Sequence, residues 1–441
     1  MQWLALYVFL TGLVFFGQSG KAGDRWPAAR SGDEPHYLVL LDSLVHDQDL
    51  LVQNNYASPR ASQGRYLRGV ALDHHSVLVH PDRQDWVLWD ECYFMQWTGL
   101  PPRWFEQHYK DSCPPGEHLT YYQEYGWHPP GYPLLLAICV GPWMLAGLAH
   151  YESLIVALQL AFFSLAVFRL RRLGPVSWPA LAVLSLLVPA SYYNAVFYTE
   201  GLSASLVLLA WTEFERKRFG WSGVWLALLA FIKESYFPFV PLFGVFAFWQ
   251  SGRPGQAAKL MAPALLALLA FFYRSWLIYG GPFFTYLPWQ SNTAFWSTLT
   301  GAFFSPVDGL FVFTPLLVWA PLALWIFARQ RGRLQALLIT SLLLYQFGLV
   351  HASVHWSGGP TYAHRLMVPV LTLLLWPLWI SRPTGWVPGQ RVWPRRLRWL
   401  WTLLATVSVL NTVYALGHLQ NSWNQPAWFN LWNWPSSQAL R

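Results

Sequence analysis

The chain has 441 residues, of which 54% are apolar and only 11% charged. Soluble domains carry about a quarter of their residues as charges, so 29 basic and 21 acidic side chains do not cover a water-exposed surface of this size. The 18% aromatic content excludes a disordered chain and three cysteines exclude a disulfide scaffold, which leaves a polytopic membrane protein.

Met1–Gly20 is free of charge and reads as a first membrane helix. A signal peptide would show basic residues ahead of the apolar core and a small-x-small site after it, and neither is present. Residues 22–131 hold 15 of the 21 acids and 8 of the 13 histidines, as expected of a polar loop outside the hydrocarbon. Within it, Ser31-Gly-Asp-Glu-Pro-His-Tyr37 predicts a short amphipathic helix beginning near Pro35, with Tyr37, Leu38, Leu40, Leu41 and Leu44 on one face. Asp33 and Glu34 at its start suit a general base or a metal-ligand site at the membrane surface. The plainer alternative is a capped helix in a solvated loop.

Gly131–Ala149 carries no charge but contains Pro133 and Pro142. It either spans the membrane or lies along its outer surface. The internal prolines, and the fit of Cys92 and Cys113 to an oxidising compartment, favour the interfacial helix. The acidic loop is then extracytoplasmic and Ser153–Arg169 is the second span.

Beyond residue 150, apolar runs alternate with basic clusters at Arg169/Arg171/Arg172, Arg216/Lys217/Arg218, Arg253/Lys259, Arg329/Arg331/Arg333 and Arg382/Arg391/Arg395/Arg396/Arg398. Each interval has room for two crossings, such as Val176–Tyr192 with Gly201–Phe214, and Gly309–Ala328 reads as one unbroken apolar run. All five clusters therefore share one side, which their charge makes cytoplasmic. The sorting of charge is membrane topology, not a nucleic-acid footprint. The expected fold is an all-α polytopic bundle of about eleven transmembrane helices. It divides into a first helix (1–20), an extracytoplasmic loop with interfacial helices (21–150), the bundle (151–418) and a Trp-rich extracytoplasmic tail (419–441). No Walker motif, GxGxxG or CxxC cluster is present.

Gly32-Asp-Glu-Pro-His-Tyr37, Asp47-Gln-Asp49-Leu50 and Asn54-Asn-Tyr56 resemble the first outer loop of the GT-C superfamily. These are membrane glycosyltransferases, such as protein O-mannosyltransferases and lipid A aminoarabinose transferases, that use polyprenyl-phosphate sugars. His128-Pro-Pro-Gly-Tyr-Pro133, Tyr198-Thr-Glu200 and Trp356-Ser-Gly-Gly-Pro-Thr-Tyr-Ala-His-Arg365 look like a bacterial branch of that superfamily, and in order and spacing the likeness covers most of the chain. The resemblance implies an integral protein of a bacterial inner membrane. It would transfer sugar with inversion from a polyprenyl-phosphate donor to a lipid, glycan or protein acceptor on the extracytoplasmic side. It gives Asp33, with Glu34 second, the role of general base on the acceptor hydroxyl or of a residue that helps to hold a metal. The resemblance also places helices along the membrane at the end of the first loop, where Gly131–Ala149 falls.

Lys233, an ammonium interrupting an apolar run, is the first candidate for the donor phosphate. An ion pair with Glu234 or Glu200 is an equal alternative. Arg365, beside Tyr362 and His364, is a second candidate, since a guanidinium fork suits a phosphate; ordinary interfacial snorkelling is the alternative. His128 joins them through its motif. Glu200 is a single acid where the superfamily carries paired ones, so a divalent metal, magnesium or manganese, would rest on a reduced ligand set. Arg274 also interrupts an apolar run, while Asp308 reads as a turn residue and Cys139 as a core residue. Trp127 and Trp356 are able to stack on a sugar. His74, His75 and His80 lack the spacing of a zinc site. Two other functions share these features: a non-catalytic carrier or flippase of lipid-linked sugars, and an inactive partner in envelope assembly. A carrier places its polar residues deep in the bundle, whereas these collect at outward helix ends.

Overall fold

The computed structural model describes residues 1–18, 33–57, 76–80, 82, 86–88, 123–147, 151–281, 295–305, 309–351, 363–382 and 394–417. They form an all-α membrane protein. The principal helices are α1 (Gln2–Gln18), α2 (Glu34–Asp42), α3 (Gly131–Leu145), α4 (Tyr151–Arg169), α5 (Trp178–Leu186), α6 (Thr199–Glu215), α7 (Phe219–Ile232), α8 (Phe239–Ser251), α9 (Pro254–Tyr279), α10 (Phe295–Phe304), α11 (Ala320–Gln330), α12 (Arg333–His351) and α13 (Arg395–Gly417). Among the described residues, four helical segments are long and apolar enough to cross a bilayer: Tyr151–Arg172, Pro254–Tyr279, Arg333–His351 and Arg395–Gly417. Shorter apolar helices cover Gln2–Phe15, Gly131–Leu145, Phe219–Ile232 and Arg365–Ile380.

The organising element is α6. Every residue from Thr199 to Phe214 is buried, as expected of a helix enclosed on all sides. It packs on α4, α7 and the turn Val368–Leu371. Two of its hydroxyls bond back into the helix: Ser205 Oγ donates to Gly201 O and Thr212 Oγ1 to Leu208 O.

Several apolar runs are not continuous helices. Gly309–Ala328 divides into Leu310–Phe313, a 3-10 turn Pro315–Trp319 and α11. Pro315 and Pro321 have no amide proton and tolerate only the first turn of a helix. The break is repaired from α13, where Asn411 Nδ2 donates to Val312 O and Phe313 O and Ser408 Oγ accepts from Leu316 N–H. Such repair is what the bilayer demands of interrupted backbone. Arg365–Ile380 is likewise split at turns containing Pro369 and near Pro377, and Pro189 separates α5 from the short turn Ala190–Tyr193.

The first loop departs from expectation in two ways. The helix beginning near Pro35 is present, but Glu34 to Leu41 are all buried, so it is enclosed rather than amphipathic. Residues 51–56 cover one side, where Val39 and Leu40 pack with Val52 and Tyr56, and α3 covers another. The loop also contains a small antiparallel sheet in the order β2–β1–β3, formed by β1 (Ser76–Val79), β2 (Trp86–Leu88) and β3 (Gln123–Gly126). Its strands have only three or four residues each and β3 comes from a distant part of the loop, so no local alternation announced it. Val77 and Val79 pack on Tyr279 at the end of α9, which seats the sheet on the bundle. The quoted acids act as fasteners here: Asp47 Oδ2 accepts from Asn54 and Asn55, and Asp49 Oδ1 accepts from Ser43 Oγ and Leu51 N–H.

Gly131–Leu145 is helical, as expected. Cys139 is exposed rather than in the core, on the same outward face as Ile138 and Trp143. The hydrophobicity of this run marks a membrane-facing surface as much as an interior. The pair Cys92 and Cys113, Asp308, Trp356, Tyr362 and the tail 419–441 lie outside the described residues.

Polar groups segregate to the two ends of α6. Glu200 begins the helix, and Glu213 lies about 20 Å along it by helical rise. At the Glu213 end, Arg169 Nη1 meets Glu213 Oε1 at 3.3 Å and Arg331 Nη2 donates to Leu173 O at 3.0 Å. Three of the basic clusters therefore gather at one end of the bundle.

Gly131 permits the closest approach in the first-loop packing. A Cβ built there would lie 1.9 Å from Phe231 O, against the end of α7. A backbone obstacle cannot rotate away, so Gly131→Ala must push α3 and the preceding His128 loop off α7. Overpacking of this kind costs about 1–3 kcal/mol. Thermal unfolding of the detergent-purified variant is expected to show a lowered Tm, and an unchanged Tm would contradict this packing.

Candidate active site

Six of the residues singled out from sequence converge at the Glu200 end of α6. Asp33 occupies the cap position of α2, but its carboxylate makes no capping hydrogen bond. It faces the bundle instead. Asp33 Oδ2 lies 3.0 Å from Arg365 Nη2, and Oδ1 lies 3.9 Å from His128 Nε2. A carboxylate serving only as a helix cap would turn to the free amides of its own first turn. Asp33 is turned to a guanidinium more than three hundred residues away in the chain.

Glu34, expected second to Asp33 as a reacting acid, is buried, and its Oε1 accepts the Phe197 N–H at 2.9 Å. That bond ties α2 to the turn leading into α6. Glu34 thus holds the loop that carries Tyr198, Thr199 and Glu200.

Lys233 ends α7 in extended conformation. Its Nζ lies 3.0 Å from Glu200 Oε1, and both side chains are buried. The ion-pair alternative for Lys233 is therefore realised with Glu200. Thr199 Oγ1 donates to the other Glu200 oxygen. Arg365 and Asp33 are both close enough to act electrostatically on Glu200, which joins the two ion pairs into one array.

Arg365 is nine-tenths buried. Its guanidinium lies over the Tyr198 ring at 4.6 Å, a cation–π contact favoured by burial. Burial pushes the Tyr198 phenol well above its usual range, against the opposing pull of Arg365. Arg365 Nε and Nη1 are buried and have no hydrogen-bond partner among the described residues. An arginine has five N–H donors, so this one holds part of its fork uncommitted.

Two consecutive residues before it, Ala363 and His364, adopt left-handed conformations with φ of 50° and 53°. Neither is glycine, and such geometry costs about 1–2 kcal/mol per residue. His364 is buried against His351, with ring centroids 5.4 Å apart. Burial, reinforced by His351, holds its imidazole down at about 3, so it stays neutral. This strained turn sets the direction in which Arg365 leaves the backbone.

On the opposite wall, His128 stacks on Trp127 and packs on Tyr37, which meets Tyr132 edge-on. His36 Nδ1 lies 2.7 Å from Tyr56 Oη. Gly201 completes the approach: a Cβ there would lie 2.2 Å from Tyr193 O. Sequence reasoning did not single out Tyr198, Phe197 or the turn at Ala363. Tyr198 sat inside a quoted motif, and its aromatic ring two residues before a buried acid was the available signal. Arg274 is not part of this array; it lies over the Tyr279 ring at 5.7 Å.

The donor set does not suit a divalent metal. Glu200 already holds the Lys233 ammonium and Asp33 the Arg365 guanidinium. Among the described residues no group of three His, Cys, Asp or Glu side chains is placed to bind an ion. A metal here would share two carboxylates with two fixed cations.

Comparison with protein-family models finds no match to this chain, and comparison with curated proteins finds none either.

Proposed function

We propose that this protein is a GT-C-like membrane glycosyltransferase, moving a sugar from a polyprenyl-phosphate donor to an envelope acceptor at the extracytoplasmic face. The observation that carries the reading is a carboxylate, Asp33, held between His128 and a buried arginine whose Nε and Nη1 donors are uncommitted. The gathering of basic clusters at the far end of α6 supports the sidedness. The apolar runs between the basic clusters support a bundle of about eleven spans.

In this mechanism the donor phosphate takes the open edge of the Arg365 fork. The acceptor hydroxyl attacks the anomeric carbon from the face opposite the phosphate. Its proton passes to an Asp33 carboxylate oxygen as the new C–O bond forms. The bond from the anomeric carbon to the phosphate oxygen breaks, and its electron pair leaves with the polyprenyl phosphate. Inversion requires that the sugar sit with its two faces toward Asp33 and the leaving phosphate respectively. Arg365 stabilises the added negative charge. A bound phosphate also competes with Asp33 for Arg365, which loosens the carboxylate as a base. Lys233 stays on Glu200 and contributes its field, not a direct contact.

Mass analysis of envelope lipids, glycans and proteins from cells with and without this protein tests the reading. A sugar-sized mass increment is expected to vanish from one class and return with the wild-type chain but not with Asp33→Asn. Identical profiles in all four strains would contradict it.

A further inference from the structure

The end of the bundle remote from the candidate active site carries a second built cluster. Glu213 is buried near the C-terminus of α6 and is met by three arginines. Arg169 Nη1 lies at 3.3 Å, Arg216 Nη1 at 3.2 Å and Arg218 Nη1 at 3.9 Å from its oxygens. One carboxylate does not balance three guanidinium groups, so the cluster keeps a charge of about +2 before its neighbours are counted. Arg171, Arg172 and Lys217 beside it are all exposed. Each arginine has five N–H donors, and Glu213 engages each one through Nη1. The remaining donors stay on side chains that are 34%, 19% and 51% exposed for Arg169, Arg216 and Arg218.

The turn that presents them is unusual. Lys217 N–H donates to Phe214 O and Arg218 N–H to Glu213 O. This is the Schellman arrangement, whose left-handed position normally belongs to glycine. Here Lys217 fills it, with φ of 58°. A lysine in that conformation is strained, yet it adds a cation between Arg216 and Arg218. Favourable interaction with helix C-termini accounts for single basic residues in a last turn. It does not account for three guanidinium groups gathered on one buried acid from two separate helix ends.

We propose that Arg169, Arg216, Lys217 and Arg218, organised by Glu213, form a binding site for the phosphate headgroup of an anionic membrane lipid. Guanidinium forks held at fixed positions match phosphate oxygens. The cluster terminates a fully buried helix beside α4, whose segment Tyr151–Arg172 is long and apolar enough to cross a bilayer, so the acyl chains of such a lipid would lie along its apolar surface. The charge complementarity is to an anionic surface, since each basic residue near one adds about 1 kcal/mol of attraction, or about fivefold in affinity.

Native mass spectrometry of the purified full-length protein tests this with dioleoyl-phosphatidylglycerol against dioleoyl-phosphatidylcholine, with inorganic phosphate as a soluble competitor. The wild type is expected to retain phosphatidylglycerol preferentially and to keep it in the presence of phosphate. Arg169→Gln/Arg218→Gln is expected to lower that retention about twenty-five-fold, by two charges at fivefold each. Lys217→Gly separates binding from folding, because glycine relieves the turn while removing one charge. It is expected to raise Tm and lower retention about fivefold. Equal retention of the two lipids by the wild type, loss of lipid to inorganic phosphate, or undiminished retention by Lys217→Gly would each overturn the proposal.

Discussion

Glu200→Gln is expected to destabilise the detergent-purified protein by about 3–5 kcal/mol, whereas Glu200→Gln/Lys233→Met recovers most of the loss. The asymmetry follows from where the pair sits. Lys233 Nζ and Glu200 Oε1 are 3.0 Å apart, with side chains only 6% and 1% exposed. Removing one partner leaves a charge in a medium that cannot solvate it, while removing both leaves a neutral contact of similar volume. Lys233→Met alone strands Glu200, but Arg365 is near enough to offset part of that charge. Its penalty is therefore expected to fall below that of Glu200→Gln. Chemical denaturation of the three variants supplies the cycle. Additive single losses in the double variant would show that the pair is not coupled.

The second large effect concerns Arg365. Arg365→Gln is expected to lower sugar transfer by about 10²–10³, the range for removing one preorganised donor from a developing anion. Arg365→Lys restores charge but not the planar fork, nor the stacking on Tyr198. Recovery with lysine is therefore expected to remain well below the wild-type rate. Steady-state transfer with a polyprenyl-phosphate sugar, measured alongside Tm, separates this from simple misfolding. Full activity in Arg365→Lys would indicate that only net charge matters at this position.

Much of this arrangement was visible in the chain because a bilayer makes charge conspicuous. Lys233 and Arg365 interrupt or border apolar runs, and Asp33 and Glu34 stand between a glycine and a proline. Their convergence was an expectation from order and topology, and the structure brings Asp33, Glu34, His128, Glu200, Lys233 and Arg365 to one end of α6. The partner choices were less legible. Glu234 adjoins Lys233 in sequence, but the chain is extended at Lys233 and turns into a 3-10 segment at Glu234. The partner comes from 33 residues earlier. Nothing local reveals that Glu34 accepts the Phe197 N–H. Counting apolar residues also hid the breaks near Pro189, Pro315 and Pro369, where missing amide protons end a helix that hydropathy alone would continue. The small sheet was hidden for a different reason: each strand has only three or four residues, and its partners lie elsewhere in the loop.

The central claim is that Asp33 takes the proton of the acceptor hydroxyl. The direct measurement is single-turnover sugar transfer by purified wild type and Asp33→Asn, with a polyprenyl-phosphate sugar and donor binding recorded on the same samples. Asparagine keeps the size of the side chain and removes its basicity, so transfer is expected to fall by about 10²–10⁴ while the donor still binds. Transfer at the wild-type rate by Asp33→Asn would contradict the account.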